Sequence, residues 1–362
     1  MSELSEKAPA SRRVGYADLV RVVAVMMVVL IHAASPLLYA TDPGTADFRL
    51  SLILDALSHA GVPLFVMASG MFLLDQSREV PFRRAVTHYA LPLVGLYFFW
   101  SFLYAAANKV ILPVLTEHAA VNGALVKEFI VAVFEGAYHM WYLPMMIFLY
   151  LITPLLRRFV RAEKPVGAVV FLLVAAVLQF GVYGVLLILR ETRGIGFIDT
   201  YDKFYLGYLL GYPAYYVAGW LIARRRPGAG TRCAVYAAGI AALAGMILLT
   251  DAFSLARGEI VPGWLEPLSP CCAVYGVAVF AFFAWEMREM SASRRLAGLS
   301  RLTFGVYIVH VEFMQLFKTV LPFSGTGALV YILLQWVVVA AVSWVAAFVL
   351  SKIPLLKKSV RM

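Results

Sequence analysis

The chain has 362 residues, 62% of them apolar and only 14% charged, with a formal net charge of +10. A soluble enzyme needs more polar surface than this to cover its core, whereas a chain solvated by lipid does not. The basic excess is dealt out among the gaps between apolar runs instead of gathering in one block, which disfavours nucleic acid as a partner.

A polar stretch, residues 1–11, opens a tail of residues 1–15 and is expected to be disordered. Ten apolar runs follow, at roughly 16–38, 53–74, 86–107, 138–156, 166–189, 204–223, 233–251, 268–287, 302–320 and 327–351. Each is long enough to span a bilayer as a helix of about twenty residues. The expected fold is an all-α membrane protein of about ten transmembrane helices, with one membrane domain over 16–353 and a basic tail over 354–362. With the N-terminus inside, alternate loops and tails hold 22 of the 31 Lys and Arg residues, the opposite loops hold eight, and Arg21 lies within the first run. That bias predicts both termini in the cytoplasm and an attraction to anionic membrane lipid. The first run is longer than the apolar core of a signal peptide, and cleaving it would break the alternation. Cys233, Cys271 and Cys272 offer neither a disulfide framework nor metal spacing, and no metal site is expected. The two halves show no repeat, which weighs against a transporter.

The first run carries Asp18, Arg21 and His32, and ionisable groups in hydrocarbon usually serve a purpose. Arg21 and His32 are eleven residues apart, within about 20° of three full helical turns, so they share a face about 16 Å apart along the axis. Asp18 stands one turn before Arg21 and can pair with it, but lies about 21 Å from His32 by helix rise. Such a stripe suits a long anionic ligand gripped near one membrane surface, with its reactive end at the imidazole. In the second run Asp55 and His59 share a face, and Ser69 with Gly70 offers a small hydroxyl and a close-approach point. Arg83 and Arg84 precede the third run, where a topology signal and an anion contact are both open readings; His88 there and His118 in the next loop read as ordinary interfacial or loop residues.

The loop over 108–137 contains "GALVKEFIVAVFEGAYH", with helical spacing that predicts an interfacial helix. His139, Trp141 and Tyr142 then open the fourth run at the outer level. The loops 190–203 and 252–267 are mixed in charge and rich in Gly or Pro, suiting a substrate rim as well as plain connectors. In the ninth run His310 follows Tyr307 by one turn and precedes Glu312, a carboxyl that needs a partner in the bundle.

Four segments together resemble the membrane-bound acyltransferase-3 family: "DLVRVVAVMMVVLIH" with its R-x10-H spacing, "VPLFVMASGMFLL", "HMWYLPMMIFLYLITPLLR" and "LTFGVYIVH". The third is similar to the corresponding helix of the family's small, single-domain O-acetyltransferases. The match runs in order from about residue 16 to 353. It implies ten membrane helices and transfer of an acyl group, usually acetyl from acetyl-CoA as substrate, to a hydroxyl of an envelope glycan or lipid-linked sugar. No permanently bound cofactor is implied. His32 matches the family's essential histidine, a general base for the attacking hydroxyl, with an acetyl-histidine intermediate as the open alternative. Arg21 matches the basic residue expected on the CoA phosphates, with Arg83, Arg84, Ser69 and Gly70 as further donor-side candidates. Asp18 is expected to hold Arg21, and Glu312 to orient a histidine such as His310. His139, Trp141, Tyr142 and His59 are candidates for the acceptor side. Val311 and Glu312 stand where the family commonly has a proline. An exporter of an envelope precursor is the competing class; a sensor or partner domain would not need the Arg–His stripe.

Overall fold

The computed structural model describes residues 14–77, 79–116, 122–161, 164–324, 327–354 and 356–360. The polar stretch 1–11 and His118 lie outside them. Each of the ten apolar runs is helical. The first is α1 (Gly15–Ala40). The second divides into α2 (Ala46–Ser58) and α3 (Gly61–Leu73). The third centres on α4 (Leu91–Ala105), flanked by π turns over Ala85–Ala90 and Ala106–Ile111. The loop that follows forms α5 (Gly123–Glu135), and the fourth run is α6 (Tyr142–Phe159). The fifth joins α7 (Val166–Ala175) to α8 (Val182–Arg193) through another π turn. The rest are α9 (Tyr212–Arg224), α10 (Ala229–Arg257), α11 (Pro270–Glu286), α12 (Thr303–Val320) and α13 (Ala328–Leu350). No strand occurs among the described residues.

Among those residues, seven helical stretches are long and apolar enough to cross a bilayer. The sixth, eighth and ninth runs fall short of that measure for physical reasons. Tyr205 takes a left-handed φ of 52°, and a π turn fills Gly207–Gly211, so α9 begins late. α11 has 17 residues. α12 carries His310, Glu312, Gln315 and Lys318, which lower its mean hydropathy. Side-chain caps on Thr45, Asn122 and Ser269 start α2, α5 and α11 by accepting backbone N–H groups.

The surface is apolar where a soluble protein would be polar. Val169, Val170 and Leu173 of α7, Ile240 and Leu248 of α10, and Val337 and Val345 of α13 all point outward and are exposed. Faces this apolar belong against lipid. The protein is an all-α integral membrane protein.

Polar contacts between loops gather at the two ends of the bundle. At one end Gly15 packs on the backbone of Met290 and Ser291. Arg157 donates to the carbonyls of Leu73 and Asp75 there, Arg224 pairs with Asp75, and Arg226 and Arg232 pair with Glu286. At the other end Arg49 pairs with Asp251, the Ala328 N–H donates to the Asp47 carboxylate, and Arg257 donates to the Arg190 carbonyl.

The centre of the bundle is built from α1, α3, α9 and α12, with Tyr215, Tyr216 and Trp220 fully buried. α3 and α9 meet backbone to backbone. A Cβ on Gly70 would stand 1.9 Å from the Tyr216 carbonyl oxygen, and one on Gly219 would stand 2.1 Å from that of Met67. Only glycine permits this approach. Gly70 is therefore committed to helix packing.

Candidate active site

A cavity of about 540 Å3 runs through the middle of the bundle, and both Arg21 and His32 line it. The helical stripe read from eleven residues of spacing thus opens into one continuous space. Asp18 is buried behind Arg21, with its carboxylate 4.0 Å from the guanidinium. The Phe72 ring lies 5.2 Å from the same cation, a distance that favours cation–π attraction. Opposite α1, the cavity wall on α3 is Val62, Phe65 and Ser69, residues on one helical face. Ser69 donates its hydroxyl to the Phe65 carbonyl at 2.9 Å. Ser300 and Thr303 add hydroxyls to the lining.

Three imidazoles from three separate helical segments meet beside the cavity. His310, fully buried on α12, lies with its ring centroid 5.1 Å from that of His32 and 5.4 Å from that of His139. Its Nδ1 lies 2.6 Å from the Tyr307 carbonyl, so that nitrogen carries the proton. Its Nε2 has no hydrogen-bond partner among the described residues. The Tyr138 hydroxyl stands 3.5 Å from His32 Nδ1. Tyr307 donates to the His139 carbonyl at 2.7 Å, and Tyr104 donates to the Ile308 carbonyl at 2.6 Å. Among the described residues no three His, Cys, Asp or Glu side chains form a metal-binding group.

The delivery of His139 depends on one residue. α5 ends at Gly136, whose φ of 72° and ψ of 174° are essentially confined to glycine. The chain then enters a 3-10 turn over Tyr138–Trp141, which carries Tyr138 and His139 to the histidine cluster and Trp141 to the cavity. A Cβ at Gly136 would also crowd the Tyr97 hydroxyl at 2.8 Å, and that hydroxyl holds the end of α5 through the Phe134 carbonyl.

Of the sequence-predicted site residues, the structure brings Arg21, His32, His59, Ser69, His139, Trp141 and Tyr142 into the lining of one cavity. His59 sits 3.3 Å from the Asp55 carboxylate, whose other oxygen accepts from Ser35. Arg83 and Arg84 are not brought to this cavity. They are exposed on the turn Phe82–Arg84, and Arg84 donates to the Glu79 carbonyl. Glu312 pairs with Asn108 at 3.0 Å instead of orienting an imidazole; the π turn Ala106–Ile111 presents that asparagine. His88 packs on Tyr89. Sequence reasoning missed Tyr138, Tyr150, Tyr212 and Glu266, all of them near or on the cavity. Position beside His139 was a usable signal for Tyr138, whereas nothing in the local pattern marked Glu266.

The structure is thus an integral membrane protein whose central cavity is lined by histidines and, farther along the same helix as His32, by an arginine. The sequence model of the acyltransferase-3 family, an acyltransferase domain, matches residues 14–352. The chain belongs to that family and is a membrane acyltransferase. No curated protein and no solved structure matches it.

Proposed function

We propose that this acyltransferase moves an acetyl group from cytoplasmic acetyl-CoA to a hydroxyl of a cell-envelope glycan or lipid-linked sugar, within a bacterial inner membrane and with both termini in the cytoplasm. The observation that carries the reading is the single cavity lined by both Arg21 and His32. Arg21 suits the phosphates of CoA, because a guanidinium grips phosphate oxygens in pairs, and Asp18 with Phe72 holds it in place. The pantetheine arm then follows the wall formed by Ser69, Phe65 and Val62.

At the far end His32 takes the proton of the acceptor hydroxyl as its oxygen attacks the thioester carbonyl. A C–O bond forms, the tetrahedral intermediate collapses, and the C–S bond breaks. The proton on the imidazole passes to the departing thiolate, giving CoA and the ester. His310 is a positioning residue beside His32, locked by the Tyr307 carbonyl. Replacing His32 with Ala in purified protein should cut acceptor-dependent thiol release by about 10²- to 10⁴-fold, the usual worth of a general base. Turnover at the wild-type rate would overturn the assignment. Vesicle uptake of a labelled precursor without CoA would favour the exporter class instead.

A further inference from the structure

A second cavity, of about 460 Å3, adjoins the first. Tyr212, Glu266 and Pro267 line both. Its walls come from α8 and from the loops on either side of α9 and α10, at the end of the bundle where Arg257 reaches Arg190. This size falls within the range of small-molecule sites. Its lining differs sharply in chemistry from that of the histidine cavity.

Charge is the first difference. Six ionisable acids and bases line the chamber: Arg190, Glu191, Asp202, Arg257, Glu259 and Glu266. Both cations are engaged. Arg257 lies 2.9 Å from the Glu191 carboxylate, and Arg190 lies 3.8 Å from Glu191 and 3.9 Å from Asp199. Among the described residues Asp202, Glu259 and Glu266 have no ion pair. Four carboxyl groups thus face two guanidiniums in the lining, an excess that disfavours an anion.

The second difference is in shape and hydrogen bonding. Tyr183 and Tyr201 form an aromatic corner with centroids 6.2 Å apart, and Gln179 stands behind Tyr201. Two tilted aromatic faces in a chamber that also carries carboxyl groups match a sugar ring, whose C–H face stacks while its hydroxyls hydrogen-bond. An acyl chain would leave those carboxylates desolvated without partners. The Glu266 loop is pinned, since Tyr215 donates to the Pro267 carbonyl and Ser269 donates to that of Trp264 at 2.7 Å. Burial pushes the Glu266 carboxyl above the ordinary carboxylate range, with the nearby carboxylates of Asp55 and Asp202 adding to it and His59 opposing it.

We infer that this outer chamber is the acceptor subsite and that it takes an uncharged, polyhydroxylated sugar ring while refusing anionic ones. The ring docks between the tyrosines and the carboxylates, and a hydroxyl passes the Tyr212–Glu266 junction toward the cavity that His32 lines. Trp141, with its ring 5.9 Å from that of Tyr212, continues the aromatic surface inward. The inference rests on the acyl-transfer reading for what happens to the sugar, but the binding itself does not depend on acetyl-CoA.

The test is ligand-detected saturation-transfer NMR on the full chain in nanodiscs. The probes are the methyl glycosides of glucose, galactose, mannose and N-acetylglucosamine, with methyl glucuronide as the anionic counterpart. At least one neutral glycoside should bind wild type and His32→Ala alike, and the glucuronide should bind at least about tenfold more weakly. Glu266→Gln and Tyr183→Ala should each weaken the neutral glycoside about five- to tenfold while the protein stays monodisperse and still binds CoA. Failure of all four neutral probes, preference for the glucuronide, or unchanged binding in both variants would overturn the assignment. Glycoside binding by a wild-type protein that transfers no acetyl from acetyl-CoA to it would sink the acyl-transfer reading and leave the chamber standing.

Discussion

The two cavities meet at Tyr212, Glu266 and Pro267 yet are made from opposite materials. The inner one is walled mainly by membrane helices, and apart from the shared Glu266 its polar groups are a single arginine, a few hydroxyls, imidazoles and the Trp141 indole, spaced along apolar faces. The outer one is walled largely by loops and carries carboxylates that outnumber its cations. One end is therefore cationic and the other acidic. A double-headed site of this kind separates an anionic donor from an uncharged acceptor by electrostatics before any close contact forms.

The largest separable effect after loss of His32 should come from Arg21. Truncating it to Ala removes charge-assisted bonds worth about 1.5–3 kcal/mol, equivalent to a rise of about ten- to a hundredfold in KM for acetyl-CoA. Neutral glycoside binding should stay at the wild-type level. Arg21→Lys should recover only part of the loss, because ammonium cannot form the paired contact. Steady-state kinetics with varied acetyl-CoA reads this directly, and an equal loss of glycoside binding would mean that the two halves are one site.

Gly136 should affect the histidine half alone. Alanine there is forced into a backbone region that costs about 1–3 kcal/mol, and its Cβ meets the Tyr97 hydroxyl at 2.8 Å. The 3-10 turn that carries Tyr138 and His139 must shift. The expected result is a fall of about tenfold in kcat, since small misplacements near the chemistry are expensive, with KM for acetyl-CoA nearly unchanged. Parallel losses in kcat and CoA affinity would instead indicate general unfolding.

How much of this was legible in the sequence differs between the halves for a physical reason. The ten helical runs and the shared face of Arg21 and His32 follow from apolar length and from helix geometry, both local properties of the chain. The meeting of His32 with His139 and His310 was not available in that way. It depends on a left-handed turn at Gly136 and on the packing of α12 beside α1. Gly70 illustrates the same limit. The Ser69–Gly70 pair is visible, but only the close approach of α9, whose Tyr216 backbone meets Gly70, decides that Ser69 meets the cavity while Gly70 meets backbone. Glu312 finds Asn108 because a π turn re-aims that asparagine, and no apolar periodicity announces such a turn. The outer chamber was least legible, since loops of mixed charge suit a substrate rim and a plain connector equally well.

The smallest expected effect concerns stability, and it bears on why Glu266 is there at all. Its carboxyl is raised in the folded protein by burial, so the charged form is less comfortable folded than unfolded. The sign follows from that: the penalty is absent below the ordinary carboxylate range, grows as pH climbs from the unfolded value to the folded one, and is constant above it. Glu266→Gln keeps the shape and removes the charge. Because Glu266 keeps contact with solvent in the cavity, the gain is screened: at neutral pH the variant should melt at most about 1 °C higher than wild type in a thermal scan, and the two curves should converge as the pH falls through the carboxylate range. A residue that destabilises the fold while lining both cavities is what a binding role would retain. If Glu266→Gln melts lower than wild type at pH 7, the carboxylate is a structural group, and the acidic half of the comparison loses its central member.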